Sequence, residues 1–116
     1  MAIGKLTTHV LDTAHGCPGK NIAISLYDGD GKLIIRTTTN DDGRCDAALL
    51  SGDDMKSGNY RLEFSIADYY RAMGSDLPEN PFLNIVTITF GIDDADGHYH
   101  VPLLASPYGY STYRGS

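Results

Sequence analysis

The sequence predicts an all-β sandwich carrying one short helix. Three observations carry that expectation. Short runs rich in Val, Ile, Thr and Tyr recur between turn signals along all 116 residues, a spacing typical of sandwiches. The stretch NYRLEFSI, residues 59–66, alternates cleanly. It puts Tyr60, Leu62, Phe64 and Ile66 on one face and Arg61, Glu63 and Ser65 on the other. A single segment, ADYYRAMG at 67–74, lacks strand alternation.

The elements follow in order. KLTTHVLD at 5–12 opens the series, and NIAISLYD at 21–28 places Ile22, Ile24 and Leu26 on one face. DGDG at 28–31 has the φ > 0 chemistry of a hairpin turn. KLIIRTTT at 32–39 comes next, then the turn NDDG at 40–43, then a short run expected to be extended from Arg44 to Leu50. After the 59–66 strand, Ala67–Gly74 reads as a helix closed by a glycine. SDLPENPF at 75–82 is a loop, its two prolines excluding a central strand. NIVTITFGI at 84–92 and HYHVPLLAS at 98–106 flank the turn DDADG and are expected to pair as a last hairpin. Beyond them, the Pro and Gly of SPYGY, 106–110, bend the chain. No repeat, low-complexity tract or linker divides the sequence, so residues 1–116 are expected to form one domain.

Composition narrows the function. At 41% hydrophobic and 21% charged the chain is globular rather than disordered. A net charge of -6, with nine Lys and Arg scattered singly, argues against nucleic acid or an anionic membrane as partner. No apolar run reaches the length of a membrane span. The start, MAIGKLTTHV, lacks a secretory signal pattern and the end is not a peroxisomal tripeptide, so a cytoplasmic location is expected. Cys17 and Cys45 stand in neither a Cys-x-x-Cys nor a metal-ligand spacing. Two reduced thiols are expected, with a disulfide as the alternative.

Polar chemistry concentrates on the first and last strands. Period-two geometry puts His98 and His100 on one face, opposite Tyr99 and Val101, and sets His9 opposite Thr8 and Val10. Three histidines invite a zinc reading, but no fourth ligand is evident, so no metal is expected. As residues, His9 and His100 read either as hydrogen-bonded strand positions or as general bases, since imidazole titrates near pH ~6.5. DGDG and DDADG lack the acidic ladder and distant glutamate of a calcium loop. GKNIAIS is no phosphate loop, and no Gly-x-Ser-x-Gly elbow exists. Arg44 follows a turn at a strand start, where it projects from a sandwich end or simply sits on the surface.

The pieces LTTHVLD at 6–12, DGR at 42–44 and HYHVPLLASPYGYSTYRGS at 98–116 resemble the 5-hydroxyisourate hydrolases, also called transthyretin-related proteins. The terminal YRGS is the most specific of them, because it separates this family from transthyretin proper. The resemblance implies a transthyretin-like sandwich of two four-stranded sheets with one short helix, assembled as a homotetramer with sites where dimers meet. It implies hydrolysis of 5-hydroxyisourate to 2-oxo-4-hydroxy-4-carboxy-5-ureidoimidazoline in urate degradation, without metal or organic cofactor. Carried over by motif, the catalytic residues are His9, Arg44, His100 and Ser116. The substrate-binding residues are His9, Arg44, Tyr113, Arg114 and Gly115. His98 and Cys45 receive no role, and which histidine is the base stays open. YRGS is expected to fold back as one wall of the substrate channel, with the chain stopping at Ser116 because a longer tail would cross the substrate's space. The rival readings are a small-molecule carrier of transthyretin type, which needs apolar channel walls rather than bases, and an immunoglobulin-like adhesion module.

Overall fold

The computed structural model describes residues 3–115. Nine strands, one α-helix and one 3-10 turn (Gly52–Asp54) make two facing sheets. The strands are β1 (Lys5–Asp12), β2 (Cys17–Pro18), β3 (Ala23–Asp28), β4 (Leu33–Thr38), β5 (Leu50–Ser51), β6 (Gly58–Ser65), β7 (Ile85–Ile92), β8 (His98–Ser106) and β9 (Gly109–Thr112). The helix α1 (Ile66–Ala72) leaves β6 directly. One sheet runs β4-β3-β6-β7 and the other β2-β1-β8-β9, with β5 also on β1. Their facing sides bury Leu6 and Val10 of β1 and Tyr99, Val101 and Leu103 of β8. These meet Ile24, Leu26, Leu62, Phe64, Val86 and Ile88 of the other sheet. The alternation read at 59–66 is the alternation observed, with Tyr60, Leu62, Phe64 and Ile66 all buried.

Two expectations are corrected. The run from Arg44 to Leu50 is not a strand: Arg44 makes one isolated bridge to His9, and pairing resumes only at Leu50. The residues between, Cys45-Asp46-Ala47-Ala48, offer no β-branched or aromatic side chain, and Asp46 accepts a side-chain bond from Asn40 Nδ2 at 2.9 Å. The outer edge of β1 is therefore covered in pieces, by β2 at Leu11 and Asp12, by Arg44 at His9, and by β5 at Lys5 and Leu6.

Nor do β7 and β8 pair as a hairpin. β7 pairs with β6, while β8 pairs in parallel with β1 and antiparallel with β9, so residues 93–97 carry the chain from one sheet to the other. Tyr99 pins that corner, its hydroxyl accepting from the amides of Asp93 and Asp94, both at 3.0 Å. A tight sandwich corner and a hairpin turn have the same local sequence, and only distant pairing tells them apart. The helix begins one residue before its expected start and ends at Ala72. Gly74 follows at φ +87, where the Ser75 amide donates to the Tyr70 carbonyl at 3.0 Å and a side chain would be strained. Among the described residues no helix is long and apolar enough to cross a membrane.

One buried carboxylate ties the helix to the first strand. Asp12, at the end of β1, has no exposed side-chain surface. Its Oδ1 accepts from the amides of Ala14 and His15 at 3.0 and 3.1 Å. Its Oδ2 accepts from the Tyr69 hydroxyl at 2.7 Å and meets His15 Nδ1 at 2.7 Å. The Tyr70 hydroxyl lies 2.8 Å from Oδ1 and 2.7 Å from the Ala105 carbonyl. Burial pushes the Asp12 pKa up, but the bonds from Tyr69, Tyr70 and His15 outweigh it and hold the carboxyl below its ordinary 3.8. Its stabilising contribution is therefore complete above 3.8 and is lost as pH falls through the lower folded-state value. Asp12→Ala strands two phenol hydroxyls and two amides and should lower stability by on the order of 3 kcal/mol. Urea midpoints at pH 7 measure this. The gap between wild type and variant should narrow once pH drops below 3.8, and an unchanged midpoint at pH 7 would remove the network from the account of the fold.

Candidate functional site

The parallel pairing of β1 with β8 builds the site. It sets Lys5 beside His98, Thr7 beside His100 and His9 beside Pro102. Since Leu6, Thr8 and Val10 point into the core with Tyr99, Val101 and Leu103, Lys5, Thr7, His9, His98 and His100 share the outer face.

Arg44 reaches this face through the turn at 40–43. The Asn40 Oδ1 accepts from the amides of Asp42 at 2.9 Å and Arg44 at 3.1 Å. Gly43, at φ +75, lies so close to β1 that a Cβ there would collide with the Val10 carbonyl oxygen. Its own carbonyl accepts from the Val10 amide at 2.8 Å. The turn is thus laid flat along β1, and the next residue, Arg44, falls into register with His9.

The C-terminal stretch closes the far side. After β9 the chain returns to β8, where the Gly115 amide donates to the His100 carbonyl at 2.8 Å. A Cβ on Gly115 would sit 2.6 Å from His100 Cδ2, so only glycine lets the tail lie against that imidazole. Arg114 lies elsewhere: its guanidinium stacks over the Tyr99 ring, 4.1 Å from the centroid, and Nη2 donates to the His98 carbonyl at 3.4 Å. Tyr113 is largely exposed in the protomer. Ser116 lies outside the described residues.

The result is a groove of about 470 Å³ whose walls include Lys5, Thr7, Arg44, Cys45, His98 and His100. His9 borders it through its bridge to Arg44. His100 is half-buried, with Nδ1 2.8 Å from Thr7 Oγ1. Burial first, then the charges of Arg44, His9 and His98, hold its pKa below the ordinary 6.5. At neutral pH it therefore carries a free lone pair and can take a proton. Burial, with Asp46 beside it, pushes the Cys45 thiol up, which leaves it protonated and a poor nucleophile. Both cysteines are free. His15, the fourth histidine, sits on Asp12 away from the groove. Among the described residues no three His, Cys, Asp or Glu side chains form a group that could hold a metal ion.

The structure thus gathers His9, Arg44, His100 and Gly115, and sets the side chains of Tyr113 and Arg114 apart from them. Sequence reasoning passed over Lys5, Thr7 and Asn40. The signal for the first two was present, since they stand four and two residues before His9 and so share its face; Asn40 needed knowledge of the turn's bonding.

The model of the HIUase/Transthyretin family matches residues 6–115. A protein of Pseudomonas aeruginosa named 5-hydroxyisourate hydrolase is 60% identical over 98% of this chain and 93% of its own. The solved (S)-allantoin synthase superposes with a TM-score of 0.95 at 42% identity; the match covers 99% of this chain but 44% of that one. Sea bream transthyretin, solved with thyroxine, gives a TM-score of 0.84 at 27% identity, covering 96% of this chain and 94% of its own. With the family match running from Leu6 through Gly115, across both sheets and over His9, Arg44, His100 and Gly115, the chain belongs to the HIUase/Transthyretin family.

Proposed function

We propose that the chain hydrolyses 5-hydroxyisourate, opening its ring to the ureidoimidazoline product in urate degradation. One observation supports the residue assignment: the parallel β1–β8 pair sets His100 in the groove wall, and one turn sets Arg44 there, in register with His9. The identity of 60% to a protein named for that activity supports the substrate. The groove's polar walls, Lys5, Arg44, His98 and His100, speak against a carrier, whose channel needs apolar surface.

His100, neutral at pH 7, takes a proton from water through Nε2 as the oxygen bonds to a ring carbonyl carbon. Negative charge gathers on the carbonyl oxygen, and Arg44 offsets it. The ring C–N bond then breaks, and the imidazolium returns its proton to the departing nitrogen. His9, in register with Arg44, adds a second polar contact to the flat substrate. Gly115 forms a backbone wall, Arg114 holds the tail against β8 through Tyr99 and the His98 carbonyl, and Tyr113 keeps its substrate-binding assignment on the strength of the motif. Ser116 keeps its catalytic assignment on the strength of the motif.

The proposal includes a homotetramer with sites between dimers. Among the described residues β7 and β9 end their sheets with no strand beyond them, and unpaired edges favour pairing with another copy. The exposed Phe82 and Tyr108 rings stack with centroids 6.3 Å apart, and Ile85 and Tyr110 are also exposed. A cytoplasmic location fits two free thiols. One domain spans residues 1–116.

Mixing the protein with freshly generated 5-hydroxyisourate and following the ultraviolet decay tests the activity. His100→Ala should lower turnover about 10²- to 10⁴-fold, as expected for a lost general base; a wild-type rate would remove His100 from the mechanism. Because the His100 pKa is depressed, the acid limb of kcat/KM, corrected for spontaneous decay, should have its midpoint below 6.5. A midpoint above that value would contradict the assignment. Gly115→Ala should fold normally yet lose about 10- to 100-fold in kcat, because the new methyl displaces the imidazole. An undiminished rate in a well-folded variant would show that the tail does not set the ring.

A further inference from the structure

We infer that Thr7 is a positioning residue for this hydrolysis, holding His100 in the tautomer whose Nε2 lone pair faces the groove. The inference rests on the reading of His100 as the base. The Thr7 hydroxyl oxygen touches two imidazoles: His100 Nδ1 at 2.8 Å and His98 Nε2 at 3.4 Å. A hydroxyl has one proton to donate and two lone pairs with which to accept. It can donate to at most one of the two ring nitrogens, so at least one nitrogen brings its own proton.

Besides the arrangement in which both nitrogens donate to the oxygen, which also leaves His100 Nε2 bare, two arrangements satisfy both contacts. In one, His100 Nδ1–H donates to the Thr7 oxygen, whose proton goes to His98 Nε2. Neutral His100 then has a bare Nε2, the form a base requires. In the other, His98 Nε2–H donates to Thr7, whose proton goes to His100 Nδ1. Neutral His100 then carries its proton on Nε2 and has nothing with which to accept one from water. The shorter contact is the one to His100, and a neighbouring acceptor at Nδ1 is the usual device that fixes an imidazole tautomer.

The surroundings leave that ring little choice. Its Cδ2 edge packs on Gly115, its Nδ1 is held by Thr7, and among the described residues Nε2 has no hydrogen-bond partner. Thr7 and His100 are direct partners in the β1–β8 ladder, so the hydroxyl is placed by sheet hydrogen bonds and not by a mobile loop.

Thr7→Val keeps the shape and strand preference of the side chain and deletes the hydroxyl; Thr7→Ser keeps the hydroxyl. Thr7→Val should lower kcat about 10- to 100-fold with little change in KM, and Thr7→Ser should retain most of the rate. Long-range ¹H–¹⁵N spectra of histidine-labelled protein should show His100 protonated at Nδ1 in wild type and Thr7→Ser. The same spectra should show a shift toward Nε2 protonation in Thr7→Val. A full-rate Thr7→Val with an unchanged tautomer, beside an inactive His100→Ala, overturns the role of Thr7 and leaves the base in place. A loss in Thr7→Val that Thr7→Ser fails to restore also overturns it, as an effect of packing. A fully active His100→Ala overturns both readings.

Discussion

The site depends on the parallel pairing of β1 with β8. Eight consecutive registered pairs, Lys5–His98 through Asp12–Ala105, join the start of the chain to its last third. Because side chains alternate strictly on a strand, that one ladder sends Leu6, Val10, Tyr99, Val101 and Leu103 into the core and Thr7, His9, His98 and His100 outward. A slip of one residue would exchange the two sets, burying imidazoles and exposing leucines. Packing of the apolar face therefore fixes the geometry of the polar one. Parallel pairing between distant segments is not locally encoded, and here it is secured at both ends. Asp12 gathers Tyr69, Tyr70 and His15 at one end, and Leu6 pairs with Leu50 at the other.

Much of this was legible in the residues. Alternation at 59–66 gave the core side of β6, the glycine at 74 marked the close of α1, and period-two spacing put His98 and His100 on one face. What failed was whatever depends on partners far away in sequence. The 44–50 run looks extended because it is short and lies between turns, but it meets β1 only near its two ends, at Arg44 opposite His9 and from Leu49 onward beside Leu6. The 84–106 stretch has the form of a hairpin, yet β7 and β8 belong to different sheets. β9 escaped notice because Gly109 and Tyr110 read as part of a bend; its pairing with Leu103–Ser106 is what turns the tail back toward His100. The motifs singled out His9, Arg44 and His100 through family resemblance, whereas the residues alone left open strand histidines or general bases, and an arginine projecting from a sandwich end or lying on the surface.

Two glycines show how backbone proximity, and not only side-chain chemistry, builds the groove. At Gly43 a side chain would meet the Val10 carbonyl, and at Gly115 it would meet the His100 ring. Each lies directly beside a functional residue, Arg44 in one case and His100 in the other. Close approach of backbone to β1 and to the imidazole is what leaves those groups a single position. The DGR and YRGS motifs thus read as packing constraints as much as lists of reactive groups.

Charge completes the arrangement. The protein carries a net charge of -6, yet its groove collects two cations, Lys5 and Arg44. The one carboxylate in its lining, Asp46, is engaged by Asn40. A locally positive groove in an acidic chain has two consequences that reinforce each other. After burial, which is the larger cause, its charges, Arg44 first, oppose protonation of His100 and leave that imidazole neutral at neutral pH. The groove also favours electron-rich substrate and the negative charge that grows on a carbonyl oxygen under attack. In the proposed hydrolysis Arg44 serves both ends at once: the field that helps lower the pKa of the imidazole is the field that a developing oxyanion needs. A neutral residue in its place would weaken the oxyanion's partner and let His100 take up a proton more readily, so the arginine and the histidine act as one unit.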